Sequence, residues 1–256
     1  MDRHLEGKVA VITGAASGMG RAMALRFAAE GAKVVGVDVA KDGIEAVTKE
    51  VQDAGGTMTG LVVDVTDRAA VEGMIKTAID TYGGLDVLCN NAGIMDNFKG
   101  VATLDDGTYE RVMAVNVYGP MAAMRVAVPY MKEHGGGSII NTASVAGVGG
   151  AAAGAAYTAS KHALIGLTKN TAFTYGQAGV RCNAIVAGAV NTNIQQSFDP
   201  EQIDQEAMGR YGTWHAVVPG QLESEHIAAL ALFLASDDST MINGTAVPAD
   251  AGWSAA

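Results

Sequence analysis

Val9-Ala10-Val11-Ile12-Thr13 runs directly into Gly14-Ala15-Ala16-Ser17-Gly18-Met19-Gly20, and this stretch decides the fold. A short, continuous run of β-branched and small apolar residues suits a strand covered on both faces. The apolar periodicity that follows, from residue 19 to about 30, is that of a helix. Strand, glycine-rich turn and helix together make the first half of a βαβ unit. Glycines in the turn let the backbone bend tightly and come close to a ligand, and free N–H groups at the helix start attract a pyrophosphate. Gly14, Ser17, Gly18, Met19 and Gly20 are therefore candidate binding residues. In a chain with 33 glycines, the spacing alone would also fit a flexible turn with no ligand.

Working outward, strands are predicted over residues 33–38, 59–64, 85–90, 138–142, 180–186 and 245–247. Helices are predicted over 43–54, 69–82, 155–175 and 223–235, with one long helix over 108–133 stopped by His134-Gly135-Gly136-Gly137. Strictly alternating strands and helices imply parallel strands, right-handed crossovers and helices on both faces. The expected architecture is α/β, a single-domain doubly wound Rossmann fold with a seven-stranded parallel sheet over residues 1–256. Residues 188–221 show no clear periodicity and are read as a lid or substrate-binding segment.

Asp38 ends the second strand, 18 residues after Gly20, where a carboxylate can accept hydrogen bonds from an adenosine ribose and repel a 2′-phosphate. Val39 and Ala40 follow it, with no Arg, so NAD is expected over NADP. Composition narrows the partners further. Hydrophobic residues make up 49% of the chain and charged residues 17%, a balance that fits a folded globular protein with an aliphatic core. The net charge is −10 and no basic run is dense, so neither nucleic acid nor an anionic membrane is an expected partner. The longest uncharged stretches, 145–156 and 182–194, are broken by Gly, Thr or Asn and fall short of the ~20 apolar residues of a membrane span. The first eight residues show no apolar segment of a signal peptide, so a cytoplasmic location is expected. Cys89 and Cys182 read as small hydrophobes, and no His or Cys cluster has metal-ligand spacing.

The catalytic candidates follow from chemistry. Removing a proton from an alcohol while hydride leaves needs a base near neutrality; free tyrosine titrates near 10, so a shift of about 3 units, roughly 4 kcal/mol, is required. Tyr157 and Lys161 are four residues apart on a predicted helix, where an ammonium can stabilise a phenolate. Any surface helix can carry such a pair. Ser144 changes the balance, because it stands at the carboxyl end of the fifth strand, where open α/β sheets bind ligands, and its hydroxyl can hold a substrate oxygen.

With these motifs in order (the glycine turn, Asp64-Val65, Asn90-Asn91-Ala92-Gly93, Asn116, Ser144 and Tyr157-Thr158-Ala159-Ser160-Lys161), the sequence resembles the short-chain dehydrogenase/reductase family over essentially its whole length. The resemblance implies that Asp64 and Val65 lie against the adenine, that Asn91, Ala92 and Gly93 line the cofactor, and that Val190 and Thr192 contact the carboxamide. It also implies that Asn116 kinks a helix and positions a water relaying protons to Lys161, and that subunits form a homotetramer through the helices around 108–133 and 155–175. Ala187-Gly188 departs from the family's usual Pro-Gly, and Asp250-Ala251-Gly252 from its usual double glycine.

The expected reaction is hydride transfer between nicotinamide and a secondary alcohol or ketone. Substrate choice is assigned to Met95 and Asp96, to residues 145–153 and to Phe198, Met208, Tyr211 and Trp214; His215 shares that segment and reads as packing. These mostly small or apolar residues suit a bulky or cyclic apolar small molecule such as a hydroxysteroid or a cyclohexanone. A 3-oxoacyl-thioester reductase is the alternative enzyme, opposed by Asp38, and a non-catalytic dinucleotide sensor or scaffold is the alternative of another class.

Overall fold

The computed structural model describes residues 3–255, without the side chains at 195 and 196. Seven strands form one sheet: β1 (Val9–Thr13), β2 (Lys33–Asp38), β3 (Thr57–Val62), β4 (Val87–Asn90), β5 (Gly137–Ser144), β6 (Val180–Ala187) and β7 (Ala246–Ala249). Their order is β3-β2-β1-β4-β5-β6-β7 and every pairing is parallel. Eight α-helices connect them: α1 (Gly18–Ala29), α2 (Lys41–Asp53), α3 (Arg68–Tyr82), α4 (Asp106–Met113), α5 (Gly119–Glu133), α6 (Ala155–Tyr175), α7 (Gln205–His215) and α8 (Ser224–Ala235). The fold is the doubly wound α/β arrangement that the alternation implies.

The two-residue period of β1 divides the core. Ala10 and Ile12 pack with α1, α2 and α8 on one face, while Val9 and Val11 pack with α3, α5 and α6 on the other. Connections leave β1 and β4 in opposite directions, so a crevice opens beyond their carboxyl ends, the place where such sheets take ligands.

Two expectations need correction. The helix predicted over 108–133 is α4 and α5 joined by a π-turn at Ala114–Tyr118, in which the Gly119 N–H reaches back five residues to the Ala114 carbonyl. Pro120 has no N–H to give the Asn116 carbonyl four residues earlier, so the regular ladder cannot continue through this point. Residues 188–221 are also more ordered than their sequence implies. Val190 bridges to Leu222, and the chain between them makes two short 3₁₀ turns and then α7 before returning. No residue of α7 is fully buried, which explains why it lacks a strong apolar stripe.

Phe27 on α1 is completely buried in the first core cluster. Phe27→Ala is expected to lower unfolding free energy by about 3–5 kcal/mol, measured by urea denaturation.

Candidate active site

At the crevice the glycine turn is shaped by close contact. Gly14 has φ of +67°, and a Cβ there would stand 2.9 Å from the Ala92 Cα. A Cβ on Gly20 would overlap the Gly14 carbonyl oxygen, so Gly20 lies under the turn and supports it from below. Ser17 caps α1 in extended backbone without a side-chain hydrogen bond to the helix, and the first turn carries no acidic residue. Its N–H groups face a cleft of about 370 Å³ lined by Gly14, Ser17, Gly18 and Met19 from the turn. Asp38, Asp64, Val65, Asn91, Ala92, Gly93 and Thr192 line the same cleft.

Asp38 is half-buried and fixed: its oxygens accept the N–H groups of Ala16 at 3.0 Å and Ala40 at 2.9 Å. Two bonds leave a carboxylate with further lone pairs for a diol. Lys41 lies 3.9 Å from Glu45, and Val39, next to Asp38 in the chain, presents an apolar side chain that is 66% exposed. Asp64 holds Thr66 through its N–H and hydroxyl, both at 2.8 Å. These features fit a dinucleotide without a 2′-phosphate.

Thr13, absent from the sequence-derived site, ties the crevice together. Its hydroxyl accepts the N–H groups of Asn91 at 2.9 Å and Ala92 at 3.0 Å, while the Asn91 amide donates back to the Thr13 carbonyl at 3.0 Å. Thr142 on β5 reaches the Asn91 amide oxygen at 3.3 Å, so three adjacent strand ends are joined.

A second cavity of about 410 Å³ adjoins the first, and here Ser144, Tyr157, Lys161, Val190 and Thr192 come together. Lys161 is 3% exposed, donates to the Thr142 carbonyl at 2.9 Å and stands 5.3 Å from the centre of the Tyr157 ring. A Cβ on Gly93 would lie 3.3 Å from both the Lys161 ammonium and the Asn116 amide oxygen, so glycine makes room for their approach. Asn116 is buried and lines neither cavity; it bonds Ile94 in both directions at 2.9 Å and donates to Ser160 at 3.0 Å. Both of its amide protons are thereby used, while its oxygen keeps a lone pair beyond the bond from Ile94. The Ser144 hydroxyl accepts the Ala146 N–H at 3.2 Å, which leaves its proton free to donate.

Electrostatics differ from the expected lowered phenol. Burial pushes Tyr157 up to about 12, with Ser144 beside it pulling down and the Asp96 charge adding to the rise. Burial also brings Lys161 down to about 8. Near neutrality, then, the phenol holds its proton and the lysine is cationic. A phenol, a hydroxyl and an ammonium at one end of an apolar cavity can exchange a proton with an oxygen placed among them. Burial likewise raises both thiols, in keeping with Cys89 and Cys182 as core residues.

The substrate wall is only partly the expected one. Met95, Val145, Ala152, Ala153, Phe198 and Met208 line the cavity, joined by Phe98, Ile203, His215, Gln221 and Trp253. Asp96 does not line it. Trp214 stands behind, stacked on Trp253 at 6.0 Å, and Tyr211 packs on Phe98 at 6.3 Å. His215 is fixed by the Ala152 carbonyl at 2.9 Å and meets Phe98 and Trp253 edge-on. Trp253 is placed by Asp250, which accepts the N–H groups of Gly252 at 2.9 Å and Ser254 at 2.8 Å, giving the C-terminal departure a structural purpose. At the other departure, Ala187 is held between Ser144 and Ala249 by the β5–β6–β7 ladders, and the Gly188 backbone is pressed against Asp250. Sheet pairing constrains the backbone where a proline ring is missing. Thr13→Val leaves two N–H groups unpartnered in the crevice and is expected to cost about 2 kcal/mol of stability by chemical denaturation, with weakened binding of NADH measured by fluorescence.

Comparison with known proteins agrees with this geometry. A family model described as enoyl-(acyl carrier protein) reductase matches residues 14–254. A 3beta-hydroxysteroid dehydrogenase of Eggerthella lenta is 44% identical, over 98% of this chain and 96% of its own. The crystal structure of levodione reductase superposes with a TM-score of 0.90 at 36% identity, covering 98% of this chain and 99% of that one. A short-chain dehydrogenase from Mycobacterium paratuberculosis, crystallised bound to NAD, gives a TM-score of 0.88 at 32% identity over 99% of this chain and 100% of that one. From its sheet order, its crevice and these relatives, the chain belongs to the short-chain dehydrogenase/reductase family of oxidoreductases.

Proposed function

We propose that the protein is an NAD(H)-dependent oxidoreductase that interconverts a bulky or cyclic apolar secondary alcohol and its ketone, with a hydroxysteroid as the leading substrate class. The observation that carries this reading is the cavity in which Ser144, Tyr157 and Lys161 meet an otherwise largely apolar wall, beside a cleft that holds Asp38. Its volume of about 410 Å³ is that of a small-molecule site. The hydroxysteroid name of the Eggerthella lenta relative and the NAD bound in the Mycobacterium paratuberculosis structure support the same assignment.

Gly14, Ser17, Gly18 and Met19 would hold the pyrophosphate, Asp38 the adenosine ribose, Asp64 and Val65 the adenine side, and Thr192, Val190 and Gly93 the nicotinamide end. When bound, nicotinamide supplies the hydride acceptor or donor, and in its oxidised form a positive charge. In reduction, the Tyr157 hydroxyl gives its proton to the carbonyl oxygen while the Ser144 hydroxyl steadies the charge developing there. In oxidation, the phenolate takes the alcohol proton, and Lys161 stabilises that phenolate. Residues 188–221 cover the substrate, with His215 and Gln221 as polar side chains that meet a second oxygen on it. Exposed Phe173 on α6 and Tyr109 on α4 support subunit association into a homotetramer through these helices. Asp38, followed in the chain by an exposed Val39, weighs against an NADPH-linked 3-oxoacyl-thioester reductase.

Tyr157→Phe is expected to reduce kcat by about 10²- to 10⁴-fold while NADH affinity is retained, by steady-state kinetics and fluorescence titration. Retained turnover would refute the assigned role. Asp38→Ala is expected to lower the preference for NAD over NADP in kcat/KM by at least about tenfold. Because the phenol titrates high and Lys161 loses its stabilising charge above about 8, kcat for oxidation is expected to rise with pH from about 6 to 8, whereas kcat for reduction does not rise.

A further inference from the structure

Among the buried charged side chains of the described residues, Asp96 alone is completely enclosed, and no cavity or cofactor contact accounts for it. A buried carboxylate is costly unless hydrogen-bonded, so its partners show its purpose. Its Oδ2 accepts the Tyr157 N–H at 2.8 Å and its Oδ1 the Phe98 N–H at 3.3 Å. Tyr157 is the third residue of α6, and its N–H is one of the donors left without an acceptor inside the helix. The cap position, Gly154, has no side chain to satisfy it. A Cβ there would lie 2.5 Å and 2.6 Å from the two Asp96 oxygens, so the glycine is what admits a carboxylate arriving from another loop.

The loop itself is built to deliver it. Asn97 and Phe98 have φ of 57° and 55°, a strained conformation for residues with side chains, and Phe98 is consequently turned into the substrate cavity. A second link runs from the same loop: Ile94 to Asn116, Asn116 to Ser160, and the Ser160 hydroxyl to the Tyr157 carbonyl at 2.7 Å. The Tyr157 N–H is thus held directly by Asp96 of the loop after Gly93, and its C=O by Ser160 of the same helix, which Asn116 links to Ile94 of that loop.

We propose that Asp96 is a positioning residue for Tyr157: a remote cap on the first turn of α6 that fixes the phenol relative to the cofactor cleft and places a negative charge behind it. This rests on Tyr157 being the proton carrier. The titratable groups sharing the cavity with the phenol are Lys161 of α6 and His215 of α7, and Tyr211 of α7 also feels the Asp96 charge. Asp96 is the group whose charge raises the phenol, and burial in turn raises its own carboxyl above the usual carboxylate range, opposed by the N–H groups of Tyr157 and Phe98. Asp96→Asn keeps an acceptor for the Tyr157 N–H and removes the charge, whereas Asp96→Ala removes both.

The test is ultraviolet difference titration of the phenol in the NAD-saturated protein, wild type against Asp96→Asn, each referred to the same protein carrying Tyr157→Phe. The phenol of the Asn variant is expected to titrate at lower pH than that of the wild type, with NAD affinity unchanged. Oxidation of a 3β-hydroxysteroid is expected to lose about 10- to 100-fold in kcat, with little change in KM, in Asp96→Ala, and most of that rate is recovered in Asp96→Asn. Coincident titrations of wild type and Asp96→Asn would overturn the proposal even if the Ala variant fails to fold. If Tyr157→Phe itself keeps wild-type turnover, the reading of Tyr157 falls, and the role of Asp96 falls with it.

Discussion

The structure depends on one constraint at the carboxyl edge of its sheet. There β1 and β4 end side by side, but the chain leaves them in opposite directions, so no covalent connection closes the gap between them. Hydrogen bonds close it instead. The Thr13 hydroxyl takes two N–H groups from the Asn91 turn, and Asn91 answers with its amide, which fixes the floor of the cofactor cleft. From that floor Gly93 leads into the loop that holds Asn116 and Asp96, and through them the start of α6. The same stitching therefore sets both where a dinucleotide can lie and where Tyr157 stands.

Burial and charge are balanced against each other in the second cavity. Removing Tyr157 and Lys161 from water makes each resist its charged form, pushing the phenol up to about 12 and the lysine down to about 8. A phenol that keeps its proton is a ready donor to a carbonyl oxygen, and in the proposed reaction the positive charge of the oxidised cofactor favours the phenolate for the reverse step. In this reading, proton transfer is coupled to the redox state of the cofactor by electrostatics, and burial sharpens the coupling because it removes the screening of water.

Much of this was legible in the sequence because it is local. The run Val9–Thr13 and its glycine turn, Asp38 at a strand end, and Tyr157 and Lys161 one helical turn apart all announce themselves within a few residues. What escaped depends on distant partners. Asp96 follows Met95 and reads as pocket lining, yet its partner is the N–H of Tyr157, 61 residues away. Thr13 reads as the end of a strand, and its hydroxyl matters only because β4 ends beside it. Apolar periodicity runs across the π-turn, so only the resemblance, in which Asn116 kinks a helix, pointed to a break there, although Pro120 was a visible sign that the ladder must break. The helix α7 escaped because it lies over the cavity without burying any residue fully, and Trp253 because its place is set by the Asp250 cap in a short C-terminal turn.

The most direct test of the central claim is hydride transfer itself. The protein would be given NADH deuterated at both C4 positions together with a 3-ketosteroid, a cyclohexanone and a 3-oxoacyl thioester, each also with the corresponding NADPH, and deuterium at the carbinol carbon followed by mass spectrometry. The expected result is one deuterium per product on the steroid or cyclic alcohol, with NADH as the preferred donor. Deuterium appearing only in the hydroxyacyl thioester, and only from NADPH, would contradict both the reading of Asp38 and the reading of the apolar cavity.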